Sequence, residues 1–280
     1  MEEPTPELAR EILDYYEKAP EEDRLREGVF RLEATRTRIL LERYLPPPPA
    51  TVLDVGGAAG AYSFWLADRG YAVHLIDPVE RLVALARRLN GERTDGGGAA
   101  LASVRVGDAR ALAAGDASAD AVLLLGPLYH LIDAGDRLRA LAEARRALVP
   151  GGLLMAVGIS RFASALDGLR RGFLDDPDFA ALVRADLESG VHRNPDGRLE
   201  FFTTAYMHRP DALRREVEEA GLRCEAVLAV EGPGWLVGGW DDEVDVERRR
   251  GLLEFLERLE AEPSLTGVSA HVMAVARRPA

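Results

Sequence analysis

The chain has one cysteine, Cys224, and one lysine, Lys18, in 280 residues. A lone thiol excludes an internal disulfide and any multi-thiolate metal site. A lone lysine removes lysine-dependent chemistry from everything after residue 18, and arginine supplies the rest of the positive charge. No apolar run approaches the roughly 20 residues of a membrane-spanning helix, so no membrane partner is expected. The start, Met1-Glu2-Glu3-Pro4, is acidic and lacks the apolar core of a signal peptide, so a cytoplasmic location is expected. The formal net charge is −12 and no basic block stands out. Such a chain repels phosphate backbones, so nucleic acid is not an expected partner. No internal repeat is present, and the only low-complexity tract is the four prolines at 46–49.

What is present belongs to a folded protein. Hydrophobic residues make up 47% of the chain and charged residues 29%, a balance outside the disordered range. The length suffices for one sizeable core with embellishments. Residues 1–45 read as helical. Thr5-Pro6 fits an N-cap with proline at the first helical position, followed by Leu8, Ile12, Tyr15, Tyr16 and Ala19 at helical spacing. A second helical pattern runs from about Gly28 to Leu45, and the prolines end it.

From residue 51 strands and helices alternate. Strands are expected at 52–55, 71–76, 101–106, 119–125, 153–159, 224–230 and 271–276. Helices are expected at about 60–69, 78–89, 135–148, 210–220 and 246–259. This beat implies a doubly wound α/β sheet, mostly parallel, with helices on both faces. It is lost at 160–208, a stretch rich in phenylalanine, and again from Gly232. The expected layout is a helical cap at 1–49, and an α/β domain at 50–280 with lid insertions at about 160–208 and 232–265.

The first strand runs straight into glycines: Thr51-Val52-Leu53-Asp54-Val55-Gly56-Gly57-Ala58-Ala59-Gly60. A buried strand, a tight glycine turn and a helix N-terminus form a nucleotide cradle. Glycine lets the backbone turn and a ligand approach, and the helix start offers unpaired N–H groups. The dinucleotide fingerprint G-x-G-x-x-G fails in either register, giving Gly56, Ala58, Ala61 or Gly57, Ala59, Tyr62. What stands here is D-x-G-G-x-x-G, with Asp54 two residues before the first glycine.

That pattern resembles motif I of the class I S-adenosylmethionine-dependent methyltransferases, usually D/E-x-G-x-G-x-G, with Ala58 replacing the middle glycine. The resemblance continues down the chain in order and covers about residues 50–160. Asp77-Pro78, ending the second strand, matches the carboxylate that accepts both ribose hydroxyls. Gly107-Asp108-Ala109 matches the adenine-edge motif, with Asp108 taking the exocyclic amine. Leu125, in Leu124–Leu131, lies where the family places its substrate-facing motif. Leu148-Val149-Pro150-Gly151-Gly152-Leu153 resembles the turn into strand five. The resemblance implies a seven-stranded sheet, S-adenosylmethionine as cofactor, S-adenosylhomocysteine as product, and a donor site of Asp54, Gly56, Gly57, Gly60, Asp77, Pro78, Asp108, Ala109 and Leu125. Asp77 also fits a plain N-cap, and Asp108 a turn cap.

Methyl transfer from a sulfonium is an in-line displacement in which alignment supplies much of the catalysis. A base is needed only if the nucleophile carries a proton. Tyr129 and His130, at the mouth of the donor pocket, are the candidate catalytic pair; packing and turn capping are their structural alternatives. Arg161, His192, Tyr206, His208 and Trp235 are candidate acceptor-binding residues, since they lie in or beside the lid segments. In related enzymes N-terminal helices cover the donor, so Tyr15, Tyr16 and Arg36 form a weaker candidate set. No histidine pair has metal-ligand spacing, so no metal is expected. The expected function is methyl transfer to a small molecule. The alternatives are a nicotinamide-dependent oxidoreductase and a non-catalytic S-adenosylmethionine-binding protein. A Tyr-x-x-x-Lys reductase site is excluded, because Asp133 stands four residues after Tyr129. The acceptor, its reacting atom and the oligomeric state are left open.

Overall fold

The computed structural model describes residues 12, 15, 16, 28–194, 198–237, 240 and 246–280. The expected N-cap at Thr5-Pro6, with Leu8 and Ala19, lies outside the described residues, as do parts of the second expected lid. Ile12, Tyr15 and Tyr16 are helical. Among the described residues no helix is long and apolar enough to cross a membrane.

The strands are β1 (Thr51–Val55), β2 (Ala72–Asp77), β3 (Ser103–Val106), β4 (Ala119–Leu124), β5 (Leu148–Ser160), β6 (Val191–His192), β7 (Ala205–His208), β8 (Arg223–Ala229) and β9 (His271–Arg277). The parallel order is β3-β2-β1-β4-β5. Antiparallel β9 follows β5, and β8 pairs with β9. These seven strands form the expected, mostly parallel sheet. Two more were not expected. β7 runs parallel to the last two residues of β5, Ile159 and Ser160, and β6 pairs antiparallel with β7. Both are too short to leave a period in the sequence.

The helices are α1 (Gly28–Tyr44), α2 (Ala61–Ala67), α3 (Glu80–Asp95), α4 (Pro127–His130), α5 (Ala134–Ala147), α6 (Ala163–Arg171), α7 (Pro177–Ser189), α8 (Pro210–Glu219), α9 (Val246–Leu259) and α10 (Pro263–Thr266). Strand alternation puts neighbouring side chains on opposite faces. Leu53, Val55, Val122 and Leu154 join Leu141 and Ala144 of α5 and Leu213 and Val217 of α8 in one apolar layer. Val52, Val73, Leu123 and Met155 join Leu40 and Leu41 of α1 and Leu66 of α2 in the other. One boundary differs from expectation. Pro150-Gly151-Gly152 does not precede the fifth strand but lies inside it. Gly151 takes a φ of 78°, and the chain is held there by the bonds Gly151 N to Arg278 O and Arg278 N to Gly152 O.

This topology sets every parallel strand's carboxyl end at one edge, where an open α/β sheet takes its ligand. β9 runs the other way, so its first residue, His271, sits at that same edge, paired with Ile159.

Candidate functional site

The glycine loop after β1 makes the floor of the site. Gly56 has φ 74° and Gly60 has φ 94°. A Cβ on Gly56 would stand 2.7 Å from the Pro127 ring, and one on Gly57 would stand 2.9 Å from Asp54 Oδ2. Ala58 also adopts the left-handed region, at φ 49°, which costs an L residue roughly 1–2 kcal/mol. Asp77 offsets that cost by accepting a hydrogen bond from Ala58 N at 2.9 Å. Its other oxygen accepts from Val79 N at 2.9 Å. Asp77 therefore braces the loop and the start of α3 together.

Asp54 is 1% exposed and accepts from Ser63 Oγ of α2 at 2.6 Å. Burial pushes its pKa up to about 6; the Asp77 charge adds to the rise and the Ser63 bond opposes it. Asp108 accepts from Arg110 N at 2.8 Å and Arg110 Nε at 2.9 Å, and pairs with Arg110 Nη2 at 2.6 Å. Arg110 also reaches Asp136 at 2.7 Å. The expected adenine-edge acid is thus held in place by a neighbouring guanidinium.

A single cavity of about 780 Å³ lies over this floor, inside the roughly 300–1,000 Å³ range of small-molecule sites. Asp54, Gly56, Gly57, Gly60, Asp77, Pro78, Asp108, Ala109 and Leu125 all line it, and so do Tyr129 and His130. Tyr16 O–H meets His130 Nε2 at 2.7 Å, and Arg81 Nη2 donates to Tyr16 O at 2.7 Å, so the N-terminal segment closes over the ends of β2 and β4.

The expected acceptor-binding set is placed elsewhere, and each member has a structural task. Arg161 Nε donates to Met207 O at 2.8 Å. Tyr206 lies under the Arg137 guanidinium, 3.6 Å from its ring centre. His208 is fully buried against Glu216 at 3.2 Å, and burial lowers its pKa. His192 is anchored on both ring nitrogens, to Asp186 at 2.8 Å and Phe201 O at 2.7 Å. Trp235 Nε1 donates to Val268 O at 2.8 Å, and its ring packs with Leu32, Trp240 and Leu256. None of the five lines the cavity, and no described residue of 160–208 or 232–265 does. The cover comes instead from Ile12, Tyr16 and α1.

Arg36 is displaced from its expected role as well. It is fully buried, donates to Val230 O at 3.0 Å and pairs with Glu260. With Leu32 and Leu40 it occupies the i, i+4 positions of the apolar face of α1, a phase readable from the sequence. Arg38 faces the cavity together with Glu33 and Thr37. Its Nε is buried and has no hydrogen-bond partner among the described residues.

Two further residues were not anticipated. His271 lines the cavity, and its Nδ1 meets Glu231 Oε1 at 2.6 Å. Glu33, Glu231 and His271 bring one ligand-type atom each within 4.8 Å of one another. Glu231, however, already accepts from Ser269 Oγ at 2.8 Å and His271 N at 2.9 Å. This is a hydrogen-bonded pair beside a second carboxylate, and no metal ligands are assigned there. His271 is the first residue of an apolar strand, and nothing local in the sequence marks it.

The cavity fits S-adenosylmethionine on two observations. The loop is a cradle that a Cβ at Gly56 or Gly57 would fill, and the orphaned Arg38 Nε offers a cation to a carboxylate.

Residues 53–156 match the family model of a methyltransferase domain. The ubiquinone/menaquinone biosynthesis C-methyltransferase UbiE of Acidiphilium cryptum is 34% identical over 168 residues, covering 58% of this chain and 63% of the relative. The ubiquinone biosynthesis O-methyltransferase of Methylocella silvestris is 33% identical, covering 55% of this chain and 66% of the relative. The chain thus spans somewhat less than two thirds of these curated relatives. A crystal structure of an S-adenosylmethionine-dependent methyltransferase from Methanosarcina mazei covers 86% of this chain and 97% of its own, with TM-score 0.57 and 20% identity.

Proposed function

We propose that the chain, whose residues 53–156 match a methyltransferase-domain model, is a class I S-adenosylmethionine-dependent methyltransferase that transfers the methyl group of S-adenosylmethionine to a small molecule. The observation that carries this reading is convergence. Nine residues from four separate segments, the ends of β1 to β4, line one cavity of about 780 Å³, at the edge where such sheets bind ligands.

Bound S-adenosylmethionine supplies a methyl already activated on a sulfonium, so the chain's task is to hold and align. Asp77 offers its carboxylate to the ribose diol, and Asp108 accepts the adenine amine. Arg38 holds the methionine carboxylate, a charge-assisted bond worth roughly 1.5–3 kcal/mol. Asp54 provides negative charge under the cationic end of the donor. Tyr16, Tyr129 and His130 wall the acceptor side, with residues 1–49 acting as the cap. Alignment of this kind can supply roughly 7–11 kcal/mol of the barrier.

The two curated relatives carry names from quinone biosynthesis, one a carbon and one an oxygen methyltransferase. A hydroxylated aromatic ring is therefore the acceptor class to try first, and the tyrosine-rich wall suits it. The strongly acidic chain favours a small acceptor over nucleic acid. Isothermal titration with S-adenosylhomocysteine tests the donor site directly. Micromolar binding is expected. No binding at high micromolar concentration, or tight binding of NADH instead, overturns the reading.

A further inference from the structure

The acceptor side of the cavity contains a hydrogen-bonded carboxylate–imidazole pair that donor binding does not require. His271 opens β9 at the carboxyl edge of β5, and Glu231 follows the end of β8 at the same edge. Glu231 is 2% exposed. Its carboxylate is fixed by three donors: His271 Nδ1 at 2.6 Å, His271 N at 2.9 Å and Ser269 Oγ at 2.8 Å. Ser269 is itself pinned, accepting from Glu231 N and Gly232 N at 3.0 Å each. Burial alone would raise the Glu231 pKa. The adjacent His271 ring and these hydrogen bonds outweigh it and hold the carboxyl below its ordinary range.

A carboxylate on Nδ1 fixes the imidazole tautomer and turns Nε2 into the proton acceptor. It also stabilises the imidazolium that forms. Glu33 of α1, a second carboxylate close to His271, acts in the same direction. The other titratable or charged neighbours are Tyr129 of α4, its ring centre 6.4 Å from that of His271, and His130 and Arg38 on the same cavity wall.

We propose that His271, oriented by Glu231, is the general base of the transfer, and that the acceptor's nucleophile is a hydroxyl. The proposal rests on the methyl-transfer reading above. The acceptor oxygen attacks the methyl carbon with a lone pair, and the carbon–sulfur bond breaks with its electrons passing to sulfur. The O–H electron pair stays on oxygen, and the proton moves to His271 Nε2 and then to water. An amine acceptor reacting as the free base has no such need before transfer. His271 is the catalytic residue here, and Glu231 is a positioning residue.

The test uses the full chain saturated with S-adenosylhomocysteine and needs no known acceptor for its first arm. Imidazole ¹⁵N resonances are followed from about pH 5 to about pH 9, a span that brackets ordinary histidine titration, with His271→Gln identifying the signal. The neutral ring is expected to carry its proton on Nδ1, and Glu231→Gln is expected to lower the apparent pKa at least tenfold in acid constant. A ring protonated on Nε2, or a titration unmoved by Glu231→Gln, overturns the proposal. So does stoichiometric Zn²⁺ uptake abolished by both Glu33→Gln and His271→Gln, since the three side chains would then be metal ligands.

The second arm measures turnover with catechol and with benzylamine. His271→Gln is expected to lower kcat on catechol by about 10²–10⁴-fold, leave KM for S-adenosylmethionine within about twofold, and recover as pH approaches that of phenol ionisation. Glu231→Gln is expected to lose less and to shift the pH profile acidward. Unchanged kcat in His271→Gln, or a benzylamine activity that dominates and ignores His271, refutes the proposal. If both variants still bind S-adenosylhomocysteine, they are folded. If the wild type does not bind it, the methyl-transfer reading fails, and the first arm, run on the free chain, still decides the Glu231–His271 pair.

Discussion

Replacing Asp54 with asparagine isolates the cost of burying an anion under the glycine loop. Asp54 is 1% exposed and, among the described residues, its carboxylate accepts one hydrogen bond, from Ser63 Oγ at 2.6 Å. Asparagine can accept that bond through its carbonyl oxygen. Burial lifts the Asp54 pKa from an ordinary 3.8 to about 6. An acid whose folded pKa is raised binds more protons in the native state, so stability falls as pH rises between those two values. At about 1.4 kcal/mol per pH unit, the full effect is about 3 kcal/mol. Below pH 3.8 wild type and Asp54→Asn carry no such difference, and above pH 6 the variant is favoured by up to that amount. Urea unfolding at about pH 4 and about pH 7.5 reads it: the stability of wild type relative to variant should drop by about 2–3 kcal/mol between the two. In the proposed site the same anion faces a donor that carries a sulfonium and an ammonium, so the stabler variant should bind S-adenosylmethionine more weakly. A stability gap that stays constant with pH refutes the burial argument. Undiminished donor affinity in the variant refutes the placement of the cation.

Other perturbations separate loop, donor and scaffold. Gly56→Ala puts a Cβ 2.7 Å from the Pro127 ring at a φ of 74°. Calorimetric titration should show S-adenosylhomocysteine binding weakened tenfold or more, and unchanged affinity would mean the loop tolerates a wider turn. Arg38→Met removes a cavity cation whose Nε has no described partner. It should raise KM for S-adenosylmethionine about ten- to a hundredfold, in line with the loss of a charged hydrogen bond, with no change in the urea midpoint. Arg36→Met breaks the buried pair with Glu260 and should instead cost stability, by less than the about 3–5 kcal/mol of a wholly unpaired buried charge, because Arg43 still pairs with Glu260. The Glu216 pKa is held at about 2, because bonds from His208 and Arg137 overcome the opposing effect of burial. A depressed carboxyl pKa stabilises above its ordinary 4.5, and that stability is lost as pH falls toward 2. Glu216→Gln should therefore flatten the acid limb of the unfolding curve.

The sheet was readable from the sequence because its central strands are buried on both faces and therefore mostly apolar. Val52, Leu53 and Val55, or Val122 to Leu124, need no partner information to be recognised. The fifth strand was read too short because Pro150-Gly151-Gly152 carries turn chemistry. Its bonds to Arg278, more than a hundred residues away, keep it in the ladder. β6 and β7, with two and four residues, fall below any periodic signal.

The convergence of the proposed donor residues on one cavity was legible for a related reason. Asp54, Asp77 and Asp108 each lie within two residues of a strand's carboxyl end, so one local segment fixes each position and the parallel topology gathers them. The acceptor half depends on pairings between distant segments. His192 and His208 looked available because a sequence does not show that Asp186 and Glu216 hold them inside the packed insertion. Burying an imidazole favours such partners: His192 is bonded on both nitrogens, whereas His208 is held through Nε2 alone, its Nδ1 having no partner among the described residues. His271 is the converse. It stands at the mouth of an antiparallel strand whose direction, not whose composition, delivers it to the ligand edge. Glu231 reaches the same edge from a separate strand, 40 residues away in sequence. The proposed adenosine end is therefore built from strand-end motifs that any chain with this sheet can carry. The chemistry at the acceptor end depends on which residues the last two strands carry to that edge.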